Sequence, residues 1–206
     1  MGHSQAEKAQ SRERILDAAA RKIREGGIDS VSVAELMKAA NLTHGGFYGH
    51  FPSRAALITA AVERAMDRGE ESLDSLRTKG SPDTVKSLIT RYLSPIHRDN
   101  IANGCGIAAL GSDAARLDND EVRALMASRA VRKFSSMAKA MGGGPAAEEA
   151  AVAAWCTMIG AIVVSRVLRG DKRADDILKY ARRAVLHLEA RVNADVNTER
   201  KVTSKH

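Results

Sequence analysis

The sequence predicts an all-α protein with a small three-helix N-terminal domain followed by a larger helical bundle. Apolar residues recur at helical spacing along most of the chain, and valine and isoleucine fall inside these repeats rather than in alternating runs. Aromatic residues make up only 3% of the 206 residues. A chain of this length holds one large domain or two small ones.

The first two predicted helices are bounded by capping signals. Ser11 can cap a helix that runs to about Glu25, and Gly26-Gly27 ends it. The run Ser32-Val33-Ala34-Glu35 has the residue types of a capping box, in which the serine and glutamate satisfy two backbone donors reciprocally. This box predicts a short second helix over Val33–Ala40.

A very short turn, Asn41-Leu42, separates the second helix from a third. Thr43 can cap that third helix, which we expect to reach Phe51, and Ser53 can cap a fourth helix from Arg54 to about Ser75. Two short helices joined this closely have the helix-turn-helix layout, whose second helix enters the DNA major groove. We therefore predict a DNA-binding domain over 1–60, with its motif at 32–51.

Three glycines, Gly45, Gly46 and Gly49, lie within the predicted third helix. Each costs about 1 kcal/mol relative to alanine in a helix interior. Glycines that contradict helix propensity in this way indicate a functional or close-packing reason. We expect the backbone, which has no side chains at these positions, to approach DNA closely. The alternative is that the segment is a poor helix or a loop.

The remainder of the chain, 61–192, is predicted to be a ligand-binding and dimerisation domain. Ser81-Pro82 opens a helix, and Gly142–Pro145 is a loop. The predicted helices of this part lie at 82–93, 107–116, 119–141, 146–169 and 174–192. The polar tail 193–206 is expected to be disordered.

Charge contributes little to the DNA-binding prediction. The formal net charge is +7, but residues 1–68 hold ten Lys/Arg and eight Asp/Glu, a difference of only +2. A basic balance suits a polyanionic partner and equally suits simple solubility. The inference must therefore rest on the motif and its placement.

Other functional classes find little support in the sequence. The six histidines are scattered, no glycine-rich phosphate loop is present, and we expect no metal, no cofactor and no catalytic residue. The N-terminus is polar, and the apolar run Ala150–Ser165 is shorter than the roughly 20 residues of a membrane-spanning helix. We expect a soluble cytoplasmic protein that is not an enzyme and has no membrane partner.

Residues 10–60 resemble the TetR (tetracycline-repressor) family of bacterial regulators. The resemblance rests on Val33–Leu36, Ala39–Thr43, Gly45–Phe51 and Pro52–Leu57, taken in order and with their spacing. Tyr92–Arg116 also resembles one subgroup of such regulators, more weakly. The resemblance implies an operator-binding domain followed by a helical effector-binding and dimerisation domain.

The resemblance also implies which residues contact DNA. Tyr48 and Arg54 would contact phosphates, with Arg54 standing where the family usually has lysine, and Thr43, His44 and Gly45 would touch bases or backbone. Gly46 and Gly49 replace larger residues, so DNA shape would supply part of the readout. The full predicted DNA-binding set is Ser32, Thr43, His44, Gly45, Gly46, Tyr48, His50 and Arg54.

A pocket between bundled helices is the expected place for a small-molecule effector. Aromatic, methionine and cysteine side chains at helical spacing are the candidates for its lining, with ordinary core packing as the alternative for each. The candidates are Tyr92, Cys105, Met126, Phe134, Trp155 and Met158, of which Trp155 is preferred.

Cys105 carries a second hypothesis. It lies between Gly104 and Gly106, and a nearby Arg98 or His97 could favour its thiolate, which would make it a sensor of oxidants or electrophiles. The alternative, which the sequence favours, is an inert buried cysteine.

The last two predicted helices suggest a homodimer. The first is apolar nearly all round and must be buried on more than one side, and the second carries one apolar stripe. Two such helices from each chain would form a four-helix interface, with a wholly intramolecular core as the alternative. The predicted interface residues are Ala153, Gly160, Val164, Ile177, Ala181, Val185 and Leu188.

The sequence thus predicts a ligand-responsive transcriptional regulator, a repressor released from a palindromic double-stranded DNA operator by a small molecule. Activation instead of repression remains open. Two different functions remain open as well: a redox or electrophile-sensing repressor acting through Cys105, and a helical small-molecule-binding protein that does not bind DNA.

Overall fold

The computed structural model describes the backbone of residues 5–78 and 84–203, and side chains there except those of 44, 68–78, 193 and 195–203. Within these ranges the chain forms nine α-helices and no β-strand, which confirms the all-α prediction. The helices are α1 (Gln5–Gly26), α2 (Val33–Ala39), α3 (Arg54–Thr78), α4 (Thr84–Tyr92), α5 (Pro95–Asp99), α6 (Gly106–Arg116), α7 (Asp120–Ala140), α8 (Pro145–Val167) and α9 (Arg173–Thr203).

The first and last helices are longer than the sequence suggested. Helix α1 begins at Gln5 rather than at Ser11, and α9 continues to Thr203 rather than ending near Val192. Neither added stretch contains glycine or proline, so no residue there breaks the helix. The proposed helix start at Ser81-Pro82 lies outside the described residues.

The chain divides into two compact units. Unit 1 consists of Met1–Gly69 and Ile101–Ala127, and unit 2 consists of Glu70–Asn100 and Ser128–His206. Unit 1 therefore contains the predicted DNA-binding domain together with α6 and the beginning of α7. The functional boundary at residue 60 remains a prediction, since compactness describes packing and not function.

Unit 1 is built around one apolar core. Helix α1 contributes Ile15, Ala19 and Ile23, which are fully buried on one face at helical spacing. Phe47 and Phe51 pack into the same core. Helix α6 joins it as well, because its fully buried Leu110 belongs to the cluster.

An ion-pair group links α1 to α3 at the edge of this core. The Arg64 guanidinium donates to the Asp17 carboxylate at 2.8 Å and also pairs with Glu13. The hydrogen bond to Glu13, and then that to Asp17, raise the pKa of Arg64. Exposed pairs of this kind contribute at most about 1 kcal/mol, so apolar burial remains the main force that joins the helices.

The turn between α1 and α2 is held by α6. The Ile28 amide donates to the Asp113 Oδ2 carboxylate oxygen at 3.1 Å. The preceding residue, Gly27, has φ of 85° and ψ of 169°, a conformation open essentially only to glycine. A β-carbon built on Gly27 would lie 2.7 Å from the same Asp113 oxygen.

In unit 2, α8 and α9 pack against each other as a helical hairpin. Helix α8 is long and apolar enough, by length and composition, to cross a membrane. Its inner face is instead buried in protein: Ala151, Ala154 and Met158 are fully buried. A core helix of a soluble protein meets the same criterion, and the buried face of α8 packs against α9.

We predict that Gly27→Ala destabilises the protein by about 2 kcal/mol or more, since it combines a glycine-only backbone conformation with a clash against Asp113. Gly111→Ala is the matched control, because a β-carbon there makes an ordinary 3.7 Å contact with Ile107 Cγ2 inside α6. The control is expected to gain roughly 0.5–1 kcal/mol. Thermal and urea unfolding measure both, and a Gly27→Ala protein as stable as wild type contradicts the packing described.

Candidate functional site

Of the two reciprocal hydrogen bonds predicted at the start of α2, the structure shows one. The Ser32 hydroxyl accepts a hydrogen bond from the Glu35 amide at 3.4 Å. The Glu35 carboxylate does not return the bond and pairs with Lys22 of α1 at 3.7 Å. The capping box is therefore half formed, because a cation from the neighbouring helix competes for its acid.

The turn and the segment after it differ from a regular helix. Asn41 has φ of 59°, a left-handed conformation that asparagine tolerates, and it reverses the chain after α2. His44–Gly49 then forms a 3₁₀ helix, not the predicted α-helix to Phe51. Within the described residues, Thr43 makes no side-chain capping bond to it. Half of the six residues in this recognition segment are glycine, which disfavours α-helix.

Two phenylalanines anchor the recognition segment. Phe47 and Phe51 are both buried, and their rings stack with centroids 5.9 Å apart. The Arg12 guanidinium lies 5.0 Å from the centroid of Phe51. Tyr48, between them, points outward and remains 72% exposed. Among the side chains of this segment that the structure describes, Tyr48 is the large aromatic one that faces the surface.

The glycines of this segment have open space around them. A β-carbon built on Gly45 or Gly49 meets no atom of the described part of the chain within 4 Å. One on Gly46 would make ordinary contacts of 3.6 Å with Met37 and Thr43. None of the three has a positive φ. Folding of this chain therefore does not require glycine at any of these positions.

Arg54 lies near the start of α2 although it belongs to α3. Its Nη2 donates to the Val31 carbonyl at 3.4 Å, next to Ser32, and its side chain is otherwise exposed. The Ala56 amide donates to the Ser53 hydroxyl at 3.1 Å, which confirms Ser53 as the cap of α3. Of the remaining predicted DNA contacts, Thr43 is exposed and His50 is half-buried, while the side chain of His44 lies outside the described residues.

An aromatic cluster occupies the interior of unit 2. Tyr92 and Trp155 are buried and meet edge to face with centroids 5.4 Å apart. His97 packs against Tyr92 at 4.4 Å. The Trp155 indole N–H donates to the Lys133 carbonyl at 3.2 Å, and the Lys133 ammonium lies 5.7 Å from the Trp155 ring centroid. This arrangement is an apolar cluster with a few polar groups at its edge, a combination that also lines many small-molecule sites.

The sequence does not identify His97 or Lys133 as members of this cluster. Lys133 lies in α7, 22 residues from Trp155, and no local pattern links them. Lys133 is nevertheless only 4% exposed, which is rare for lysine. His97 is recognisable only in retrospect, by its place five residues after Tyr92.

The six predicted pocket residues divide between the two units. Tyr92, Trp155 and Met158 are buried in unit 2, where Phe134 is half-buried. Met126 belongs to the apolar core of unit 1. Cys105 is buried at the position preceding α6, also in unit 1.

Of the two groups expected to activate Cys105, one is paired with carboxylates and the other is uncharged. Arg98 pairs with Asp99 at 2.9 Å and with Asp175 at 2.5 Å. Burial lowers the pKa of His97 below its ordinary 6.5, so this ring is neutral at pH 7. Sensing by Cys105 stays a prediction that these contacts do not strengthen. In the described ranges no three His, Cys, Asp or Glu side chains form a group that could hold a metal ion.

The predicted dimer residues occupy different environments on α8 and α9. Gly160 and Val164 are exposed, and Ala153, Ile177, Ala181 and Leu188 are half-buried. Val185 is fully buried within the single chain, so it is a core residue with no surface to offer a partner. The sequence prediction misses an apolar stripe along α8 that also includes Val152, Cys156, Val163 and Val167.

Residues 15–61 match the sequence profile described as "Bacterial regulatory proteins, tetR family". An uncharacterized HTH-type transcriptional regulator of Mycobacterium tuberculosis is 28% identical over 184 residues, which cover 85% of this chain and 94% of the relative. A TetR-family regulator structure from Agrobacterium tumefaciens superposes with TM-score 0.72 at 21% identity, covering 87% of this chain and 97% of that one. The reduced form of Escherichia coli NemR superposes with TM-score 0.70 at 19% identity, covering 84% and 95%.

Proposed function

We propose that the chain is a member of the TetR family of bacterial regulatory proteins and acts as a cytoplasmic, ligand-responsive repressor that binds a palindromic operator as a homodimer. The observation that carries the proposal is the recognition segment itself. Its apolar residues Phe47 and Phe51 are buried, whereas Tyr48 is exposed beside two glycines that the fold does not require. A segment that only packed against the core would not need an exposed tyrosine beside these glycines.

Phosphate contacts position the protein on the duplex. The exposed Tyr48 hydroxyl and the Arg54 guanidinium are suitable donors, and Arg54 is the first residue of α3. The N-terminus of this long helix adds backbone N–H groups and a favourable dipole for an anion. The two donors lie on either side of Pro52-Ser53, so one stretch of the DNA backbone can engage both.

Base recognition depends on close approach rather than on many side chains. Gly45 and Gly49 are exposed and carry no β-carbon, so the backbone of the recognition segment can lie against the floor of the major groove. Thr43, also exposed, offers a hydroxyl just before this segment. With few side chains able to reach base edges, the shape and deformability of the operator supply part of the specificity.

The exposed stripe of α8 supports a homodimer. Val152, Val163, Val164 and Val167 are 40% or more exposed, and Val167 reaches 80%. Val152, Cys156, Gly160, Val163 and Val167 recur every three or four residues, with Val164 beside Val163, which makes one continuous apolar face. A second copy would cover this face, and a symmetric dimer would place two recognition segments on two half-sites.

The aromatic cluster of unit 2 is the proposed effector site. Trp155 and Tyr92 offer flat apolar surfaces, while Lys133 and His97 offer polar groups beside them. An effector that binds two conformations of this unit unequally shifts their populations. Helix α3 continues from unit 1 into unit 2 along the chain and is one route by which the shift alters operator affinity.

We predict that Gly45→Ala and Gly49→Ala each lower operator affinity by about tenfold or more, roughly 1.4 kcal/mol, while leaving the fold as stable as wild type or more so. The added methyl has room in the protein but separates the backbone from the groove. Fluorescence anisotropy would measure affinity for a duplex that the wild-type protein selects from a random library. Calorimetry would measure stability.

Gly111→Ala serves as the control for that experiment, since it adds the same methyl group to α6 and is expected to leave operator affinity unchanged. If Gly45→Ala and Gly49→Ala bind the selected duplex as tightly as wild type, the close-approach interpretation fails. If no duplex is enriched, the proposed function fails with it.

We predict that Val163→Glu converts the dimer into a monomer and lowers operator affinity, because it places a charge within the apolar stripe of α8. Val131→Glu is the matched control, since Val131 is an exposed valine on α7, outside the stripe. Sedimentation velocity at micromolar concentration distinguishes the two species. A Val163→Glu protein that remains dimeric, or a monomeric wild type, contradicts the proposed interface.

A further inference from the structure

The first turns of α1 extend beyond the apolar core of unit 1. Every residue of the stretch 5–10 is exposed, and the first buried residue of the helix is Ser11. Lys8 is the basic residue of this stretch. It lies four residues before Arg12, so the two side chains project from the same face of the helix. Both precede residue 15, where the match to the family profile begins. We call these two residues the basic face of α1.

The basic face lies beside the recognition segment. The Arg12 guanidinium is 5.0 Å from the centroid of the Phe51 ring. Phe51 stacks on Phe47 with centroids 5.9 Å apart, and Phe47 meets the Tyr48 ring edge to face at 5.2 Å. Tyr48 is the exposed aromatic residue that the proposed function assigns to a phosphate. A short series of side-chain contacts thus connects Arg12 to the proposed DNA surface.

Arg12 can serve an anion while it covers Phe51. Its side chain is 46% exposed, and its pair with Glu13 has a separation of 3.9 Å, the limit for an ion pair. The other carboxylate oxygen of Glu13 pairs with Arg64 of α3. A guanidinium carries five N–H donors in one plane, and lying beside a ring leaves donors for a phosphate.

The carboxylates of this end of α1 face elsewhere. Glu13 and Asp17 are both engaged by Arg64. Glu7 lies five residues before Arg12, which places it about 140° away around the helix. A phosphate that approaches the basic face therefore meets two cations and no carboxylate on the same face.

We propose that Lys8 and Arg12 bind phosphates of the operator, next to those that Tyr48 and Arg54 contact. The exposed start of α1 then holds the DNA backbone from outside the helix-turn-helix motif. The proposal rests on the proposed function, because it names further residues that hold the same operator.

The salt dependence of operator binding counts these contacts. Each neutralised phosphate contributes about −0.9 to the slope of the logarithm of the binding constant against the logarithm of salt concentration. In a dimer, Arg54 alone neutralises about two phosphates and gives a slope of about −2. Arg54, Arg12 and Lys8 together neutralise about six and give a slope of about −5.

The probe is the duplex that the wild-type protein selects from a random library, and fluorescence anisotropy measures its affinity between about 50 and 200 mM salt. Arg12→Met and Lys8→Met are each expected to flatten the slope by about 2, because each removes one cation from both half-sites. Arg12→Lys keeps the charge and is expected to keep the wild-type slope.

Thermal unfolding separates a phosphate contact from a structural role. Arg12→Met keeps an apolar side chain over Phe51 and is expected to unfold close to the wild-type temperature. Lys8 is exposed and lies outside the core, so Lys8→Met provides an independent test should Arg12→Met misfold.

Arg14→Met is the matched control. Arg14 is also an exposed arginine at this end of α1, but it lies about 160° from Arg12 around the helix. Its Nη2 donates to the Ser11 hydroxyl at 3.1 Å. The substitution removes the same formal charge as Arg12→Met and is expected to leave the slope unchanged.

The proposal is overturned if the wild-type slope is near −2, or if folded Arg12→Met or Lys8→Met keeps the wild-type slope. It is also overturned if Arg14→Met flattens the slope as much as Arg12→Met, since only the net charge of the domain then matters. A loss of slope in Arg12→Lys equal to that in Arg12→Met contradicts it as well. In all these cases a duplex is selected and bound, whereas the proposed function fails only when no duplex is selected.

Discussion

The burial of Phe47 and Phe51 is the interaction on which the recognition surface depends. Half of the residues in His44–Gly49 are glycine, and the segment cannot hold a helix by its own propensity. Burying one phenylalanine contributes about 1.5–3 kcal/mol, enough to offset several such glycines. The core therefore determines where the recognition segment lies and, through the alternation of buried and exposed aromatics, that Tyr48 faces outward. In the proposed function, DNA recognition therefore depends on this packing as much as on the residues that touch DNA.

Electrostatics has a narrower role than the basic composition suggests. Several basic side chains of unit 1 are engaged by carboxylates: Arg64 pairs with Asp17 and Glu13, and Lys22 pairs with Glu35. These pairs join helices but add little net positive potential. Affinity for a polyanion then depends on a few well-placed donors near the recognition segment, and not on a broad basic surface.

Helix α8 has two apolar faces, one buried within the chain and one exposed. Its alanines and Met158 allow close packing within the chain, whereas its valines recur along the outside. A helix that is apolar on all sides predicts burial on more than one side but does not tell which side meets its own chain. This ambiguity explains why the pattern does not reveal the stripe through Val163. On α9 the sequence shows one apolar stripe but not whether its own chain or a partner covers it, so the pattern places Val185 in a dimer interface although it lies in the core.

Much of unit 1 could be predicted from sequence because its signals are local. The cap at Ser53, the break at Gly26-Gly27 and the short turn at Asn41 each depend on a few adjacent residues. The attachment of α6 could not be predicted, because Ile28 and Asp113 are 85 residues apart and no local pattern links them. The free-energy cost of the three glycines in an α-helix is evident from the sequence. The sequence does not show that they change the recognition segment from an α-helix to a 3₁₀ helix.

The salt dependence of operator binding tests the central claim most directly. If Tyr48, Arg54 and the start of α3 contact phosphates in both half-sites of a dimer, the two Arg54 guanidinium groups neutralise about two phosphates, and the other contacts carry no full charge. The logarithm of the binding constant for the selected duplex should then fall against the logarithm of salt concentration with a slope of about −2 or steeper. A slope near zero would contradict docking through phosphates, and with it the account of this protein as an operator-binding regulator.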